Sequence, residues 1–198
     1  MNKTVKIILF IVAGLIILCI CGCVAGAFLM KNGGEAFMQY AVVDDPAQAA
    51  AAAEDMLDYQ LPSGYQENIA INLLIMKAAI AVDADNMVSH PMIMIAEMPS
   101  YAQVDADTFR NQMLSGFNSA QSGRFSNMAL SQQYSMTINN TEVPIFIYQG
   151  MDEEGISVKQ LVSGMFPGKN GQIMLMIIGP TATWNQSTID GFLNSIHN

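Results

Sequence analysis

Residues 156–178 read ISVKQLVSGMFPGKNGQIMLMII. Two apolar runs, Ile156 to Met165 and Gln172 to Ile178, flank Gly168-Lys169-Asn170-Gly171. Short apolar runs around a glycine-bounded polar tetrapeptide mark a β-hairpin. Upstream, Asp152 to Gly155 is a turn by composition, and the pattern repeats. Met128 to Ile138 and Glu142 to Gln149 flank Asn139-Asn140, a second hairpin. Consecutive hairpins imply an antiparallel sheet, and this decides the fold class.

Helices frame the hairpins. Downstream, Gly179-Pro180 breaks the chain, and Thr183 or Asn185 starts a closing helix carrying Ile189, Phe192, Leu193 and Ile196 on one side. Near the other end, Asp45-Pro46-Ala47-Gln48 opens a helix. Asp45 caps, Pro46 suits the first helical position, and Gln48 stands where a capping box wants Glu or Gln. The alanines from Ala49 to Ala53 have the highest helix propensity, and Leu61-Pro62-Ser63-Gly64 ends this helix or its tail, close to fifteen residues in all. Tyr65 to Met76, Lys77 to Val82 and Met92 to Met98 are apolar, strand-like runs, with a turn at Asp83-Ala84-Asp85-Asn86. Asp105 to Phe117 predicts a further helix, capped by Asp105 or Asp107, with Phe109, Met113, Leu114 and Phe117 on one side. The order helix, strands, helix, strands, helix predicts an α+β domain, an antiparallel sheet with packed helices.

The 198 residues hold this domain and one appendage. From Tyr40 onward five basic residues stand against sixteen acidic ones, a net charge of −11. Such a surface repels phosphate backbones, so no nucleic-acid partner is expected. Ile7 to Met30 is an uncharged run of 24 residues. As a helix it would span ~36 Å, against the ~30 Å of a hydrocarbon core. Lys3 and Lys6 precede the run, which places the N-terminus in the cytoplasm and the domain outside by the positive-inside bias. The expected organisation is a cytoplasmic tail (residues 1–6), a transmembrane anchor (7–30), a linker (31–43) and an extracytoplasmic domain (44–198), a single-pass protein of the cell membrane. Two processing readings compete. Ile20-Cys21-Gly22-Cys23 resembles a lipobox, with Cys23 carrying the lipid, and Ala25-Gly26-Ala27 resembles a signal cleavage site. Against both, Val24 to Met30 continue apolar where a processed protein turns polar. All three cysteines, Cys19, Cys21 and Cys23, lie in this segment, so the rest of the chain has no disulfide framework and no thiolate metal site.

Motifs for chemistry are sparse. No phosphate loop, H-E-x-x-H or calcium loop occurs, and around Ser163 the glycine positions of a nucleophile elbow hold Leu161 and Met165. The carboxylate groups Asp83/Asp85, Asp105/Asp107 and Asp152-Glu153-Glu154 fall in turns and helix starts, where capping and solvation account for them; weak calcium binding at the last is the alternative. His90, beside Pro91 at the mouth of a strand, reads as a solvated loop residue, and His197 as a residue that frays with the terminus. The sixteen methionines include Met92 and Met94 close after His90. Alternate residues of a strand share a face, so His90, Met92 and Met94 are the candidate ligands of a soft-metal, copper(I) site. Against that, methionines inside continuous apolar runs read as core fillers. No cofactor is expected. Asn139-Asn140-Thr141 and Asn185-Gln186-Ser187 match the glycosylation pattern, which matters only in a eukaryotic secretory pathway.

The layout resembles the Mog1/PsbP-like fold group, on Leu61 to Tyr65 (LPSGY) leading into the first strand pair and Phe192 to Ile196 (FLNSI) in the closing helix. It is also similar to uncharacterised bacterial membrane-anchored proteins. The resemblance implies a binding or assembly factor and no catalytic motif, and carries no functional residue over. The expected function is therefore a membrane-anchored, non-enzymatic binding or assembly module with a protein partner in or on the membrane. Copper handling through His90 and nearby methionines, or a lipoprotein with an unknown ligand, are the alternatives; a hydrolase would need His90 or a turn carboxylate as its base.

Overall fold

A computed structural model describes residues 42–73, 76–86, 89–99 and 125–197, all within one compact unit, Val42–Asn198. The predicted anchor at 7–30, Cys23, and the predicted helix at 105–117 lie outside the described residues. Among the described residues no helix is long and apolar enough to cross a membrane.

The elements run β1 (Val42–Val43), α1 (Pro46–Met56), β2 (Tyr65–Leu73), β3 (Met76–Asp83), β4 (Met92–Pro99), β5 (Phe125–Ile138), β6 (Thr141–Asp152), β7 (Ser157–Ser163), β8 (Phe166–Pro167), β9 (Gly171–Pro180) and α2 (Gln186–Asn194), with a 3-10 turn at Thr181–Thr183. The strands form one antiparallel sheet in the order β1-β2-β3-β4-β9-β7-β6-β5, with β8 folded back on β9. The fold is thus the expected α+β class. β1 falls in the stretch that the sequence assigns to the linker.

Within the described residues the cap and turn signals have structural counterparts. Asp45 caps α1, its carboxylate accepting the Gln48 N–H at 2.9 Å, and Pro46 occupies the first turn. The helix is eleven residues, shorter than expected, because the chain turns extended at Leu57 and then pairs Asp58 with His197. Asn139 and Asn140 both have positive φ (48° and 59°), the backbone of the two-residue hairpin turn that asparagine tolerates. The break between the first two strands falls slightly earlier than expected, since Met76 already belongs to β3.

Side-chain alternation divides the sheet into two faces. On one, Ala79, Ala81, Ile93, Ile95, Ile173, Leu175 and Ile177 meet Ala53, Met56 and Leu57 at α1 and Ile189, Phe192 and Leu193 of α2. Alanines on both α1 and β3 let helix and sheet approach closely. The opposite face holds Met98, Val162, Met174 and Met176. Six successive residues of β9, Ile173 to Ile178, are buried, so side chains on both faces of this central strand are withdrawn from water. Burying each such side chain stabilises the fold by roughly 1.5–3 kcal/mol.

The Gly168–Gly171 turn is not a free solvent loop. Lys169 N–H donates to the Met56 carbonyl, Lys169 Nζ reaches Asp58 at 2.6 Å, and Asn170 N–H donates to the buried Glu97 at 3.0 Å. This turn clamps the C-terminal end of α1. His197 likewise does not fray: its backbone exchanges hydrogen bonds with Asp58 at 3.0 and 3.2 Å.

A candidate binding pocket at the His90–Asp83 pair

The mouth of the sheet where β3 ends and β4 begins holds a cavity of about 210 Å³. Register assembles its floor: Tyr65 lies opposite Asp83 across β2 and β3, and Ile93 opposite Ile177 across β4 and β9. Thr188 and Ile189 of α2 close one side, with Thr183 just before the helix. Two glycines permit this geometry. Gly64, at φ 88°, turns the chain into β2. At Gly179 a Cβ would come within 2.5 Å of Pro91 Cα, so only glycine lets Pro91 lie against β9.

Hydrogen bonds then fix the rim. The Tyr65 hydroxyl donates to the Pro91 carbonyl at 2.7 Å, and the Thr183 hydroxyl donates to the Ser89 carbonyl. His90 Nδ1 lies 2.8 Å from Asp83 Oδ2, while Asp83 Oδ1 accepts the N–H groups of Asp85 and Asn86 at 3.0 and 2.9 Å. Asp83 is therefore fully occupied. Burial would raise its pKa, but the Asp85 and Asn86 amides and the His90 imidazole outweigh that and hold the carboxyl below its ordinary value. Tyr65 is pushed up, by burial first and by the Asp83 charge second.

This pairing sets the chemistry on offer. Accepting from Nδ1, Asp83 fixes the imidazole proton there, so neutral His90 presents Nε2 as an acceptor. Among the described residues the ring bonds to no other side chain. Among the described residues no lining hydroxyl bonds to the His90 ring; the Thr183 hydroxyl donates to the Ser89 carbonyl and, at a longer 3.4 Å, to the Pro180 carbonyl. The arrangement can bind a donor group through Nε2 while Ile93, Ile177 and Ile189 take an apolar body.

The sequence treats His90 and Asp83 separately, as a loop residue and a turn residue; the structure joins them. It does not join His90 with the methionines. His90 opens on the helix-covered face with Pro91 and Ile93, whereas Met94, one alternation away, packs with Met98, Met174 and Met176 on the opposite face. Met92 shares the Met94 face by strand alternation. No group of three or more His, Cys, Asp or Glu residues placed to hold a metal occurs among the described residues. Asp152 Oδ1 accepts the N–H groups of Glu154 and Ile156, which makes it the organiser of the β6–β7 turn.

A second, wider concavity of about 600 Å³ lies along α1 and the strand-like segment after it. Several of its polar groups are held by fold contacts: Lys169 pairs with Asp58, the Tyr59 hydroxyl donates to Glu67 at 2.8 Å, and Asp55 pairs with Lys77. Its principal charges are committed to holding the fold, which leaves the His90 cavity as the candidate site.

No protein-family model matches the sequence, and no curated protein matches it. Among solved structures the chain is similar to the solution structure of cyanobacterial PsbP (CyanoP) from Synechocystis sp. PCC 6803, at 14% identity and a TM-score of 0.44, over 72% of this chain and 92% of that one. This is the fold group that Leu61 to Tyr65 and Phe192 to Ile196 resemble, and the likeness concerns the fold.

Proposed function

We propose that this chain is a membrane-tethered, non-enzymatic binding or assembly module. Residues 7–30 anchor it, the domain works outside, and the His90 cavity receives one side chain of a protein partner. The size of the cavity carries the reading. Sites that enclose drug-sized ligands occupy about 300–1,000 Å³. At about 210 Å³ this one suits a single residue, an apolar body with a hydrogen-bond donor at its tip. Anchor side chains in small desolvated pockets are how many interfaces concentrate their affinity. The Thr183 hydroxyl and the Asp83 carboxylate are engaged in hydrogen bonds that shape the rim, which supports a binding reading. The soft-metal alternative loses its support because His90 and the methionines of the strand face different sides of the sheet.

Crosslinking in membranes tests this. A photoreactive residue at the exposed Thr188 on the rim should capture a discrete partner in the otherwise native chain. His90→Ala, or Ile189→Trp to fill the cavity, should reduce that product about tenfold or more. Recovery of the chain alone, or a product indifferent to both substitutions, would count against the proposal.

A further inference from the structure

The two edges of the sheet are built in opposite ways. An exposed edge strand offers unpaired N–H and C=O groups, and proteins blunt such edges with short strands, charge or proline. β1 is blunted: it has two residues, followed at once by Asp44, Asp45 and Pro46. β5, at the other edge, has fourteen residues, FSNMALSQQYSMTI, with no charge and no proline. Among the described residues no strand lies beyond it. Register shifts at Ser126/Ala129 and Leu130/Gln132 disturb only its first half. Gln132 to Ile138 run straight.

The residues with free backbone groups follow from the pairing. Ser135 lies opposite Pro144, which has no N–H and whose carbonyl accepts from Gly164 on the β7 side. This is therefore a non-hydrogen-bonded pair, and Ser135 points its own N–H and C=O outward. By alternation Gln133 and Thr137 do the same. All three are exposed.

We infer that two copies of this chain join β5 to β5 antiparallel, about a twofold axis through Ser135. This goes beyond the proposed function, and β5 lines no part of the His90 cavity. In that register Ser135 meets its own copy, Gln133 meets Thr137, and Tyr134 meets Met136. Uncharged polar cross-strand pairs and a sulfur–aromatic pair are each favourable. Self-complementarity argues for a second copy as occupant. In this register the outward-facing residues pair with their own counterparts, and the uncharged β5 brings no like charges together although each chain carries a net charge of −9. A two-sided contact there is isologous, so it closes at two copies.

The full chain, with Cys19, Cys21 and Cys23 replaced by serine, should form a disulfide-linked dimer when Ser135→Cys is oxidised in membranes. Cα atoms of a hydrogen-bonded pair lie ~5.5 Å apart, within disulfide reach. Ser126→Cys, on the bulged half of the same strand, should not crosslink. In the otherwise native chain Ser135→Lys should weaken dimerisation at least about tenfold by sedimentation in density-matched detergent, with an unchanged far-ultraviolet spectrum. A wild-type monomer, an undiminished Ser135→Lys dimer, or equal crosslinking at residues 126 and 135 would each overturn the inference.

Discussion

Glu97 stands out at the residue scale. It is 1% exposed, in the middle of the sheet, and its carboxylate accepts the Asn170 N–H. Burial pushes its pKa up, against the pull of the Asn170 amide and the Lys77 charge. A carboxyl whose folded pKa is raised favours the protonated fold. Its favourable contribution is complete below the unfolded value of about 4.3 and is lost as pH rises through the folded value. Glu97→Gln keeps an acceptor for Asn170 and removes the charge. In urea titrations its stability relative to wild type should be level in acid and rise in its favour through the folded pKa of Glu97. Parallel curves at all pH values would show that the carboxylate is solvated after all. Glu97→Ala strands the Asn170 N–H and should cost about 1 kcal/mol or more. The same scale shows where the sequence stops being informative. The Asp83 turn is legible from its composition, but nothing local says that His90, seven residues on, returns to it.

Elements were the most legible level, because their signals are local. Asp45 and Pro46 announce α1 and open it, and the side chains expected to face inward on α2, namely Ile189, Phe192, Leu193 and Ile196, are the buried ones. The run from Gln172 to Ile178 reads as one arm of a hairpin and is the strand β9. Two elements escaped, β1, which falls in the expected linker, and β8. β8 is two residues, too short for any period, and it exists because Phe166 and Pro167 fold back on Ile173 and Gln172. The insertion of β9 between β4 and β7 is a tertiary choice, and with it comes the cavity, whose walls are drawn from segments over a hundred residues apart. One prediction belongs here. Asp45 satisfies an N–H that α1 leaves open, so Asp45→Ala should cost about 1 kcal/mol in urea unfolding. Asp45→Asn, which retains the acceptor, should cost little. Equal losses in the two would assign the effect to charge and not to the cap.

At the scale of the whole molecule, the N-terminal run and the domain differ in how their compositions suit water. Fourteen of the 24 residues from Ile7 to Met30 are Ile, Leu, Phe or Val. Near the centre of a bilayer each contributes roughly −0.3 to −0.6 kcal/mol to insertion, several kcal/mol together. The domain has the reverse character, an acidic chain whose helices α1 and α2 are laid on the sheet to close a core. The proposed tether therefore predicts a clean division. The full chain should stay with membranes through alkaline carbonate washing, and removal of residues 7–30 should release it into buffer. Protease added to intact cells should digest the domain and spare an epitope placed before Lys3, the outcome that the proposed orientation from Lys3 and Lys6 requires. An intact mass then separates the readings of the segment: the unprocessed chain mass supports the helical anchor, and a chain beginning at Cys23 with added acyl mass supports lipid attachment. A product beginning after Met30, without lipid and free in buffer, would remove the membrane from the proposal and leave the His90 cavity to be explained in solution.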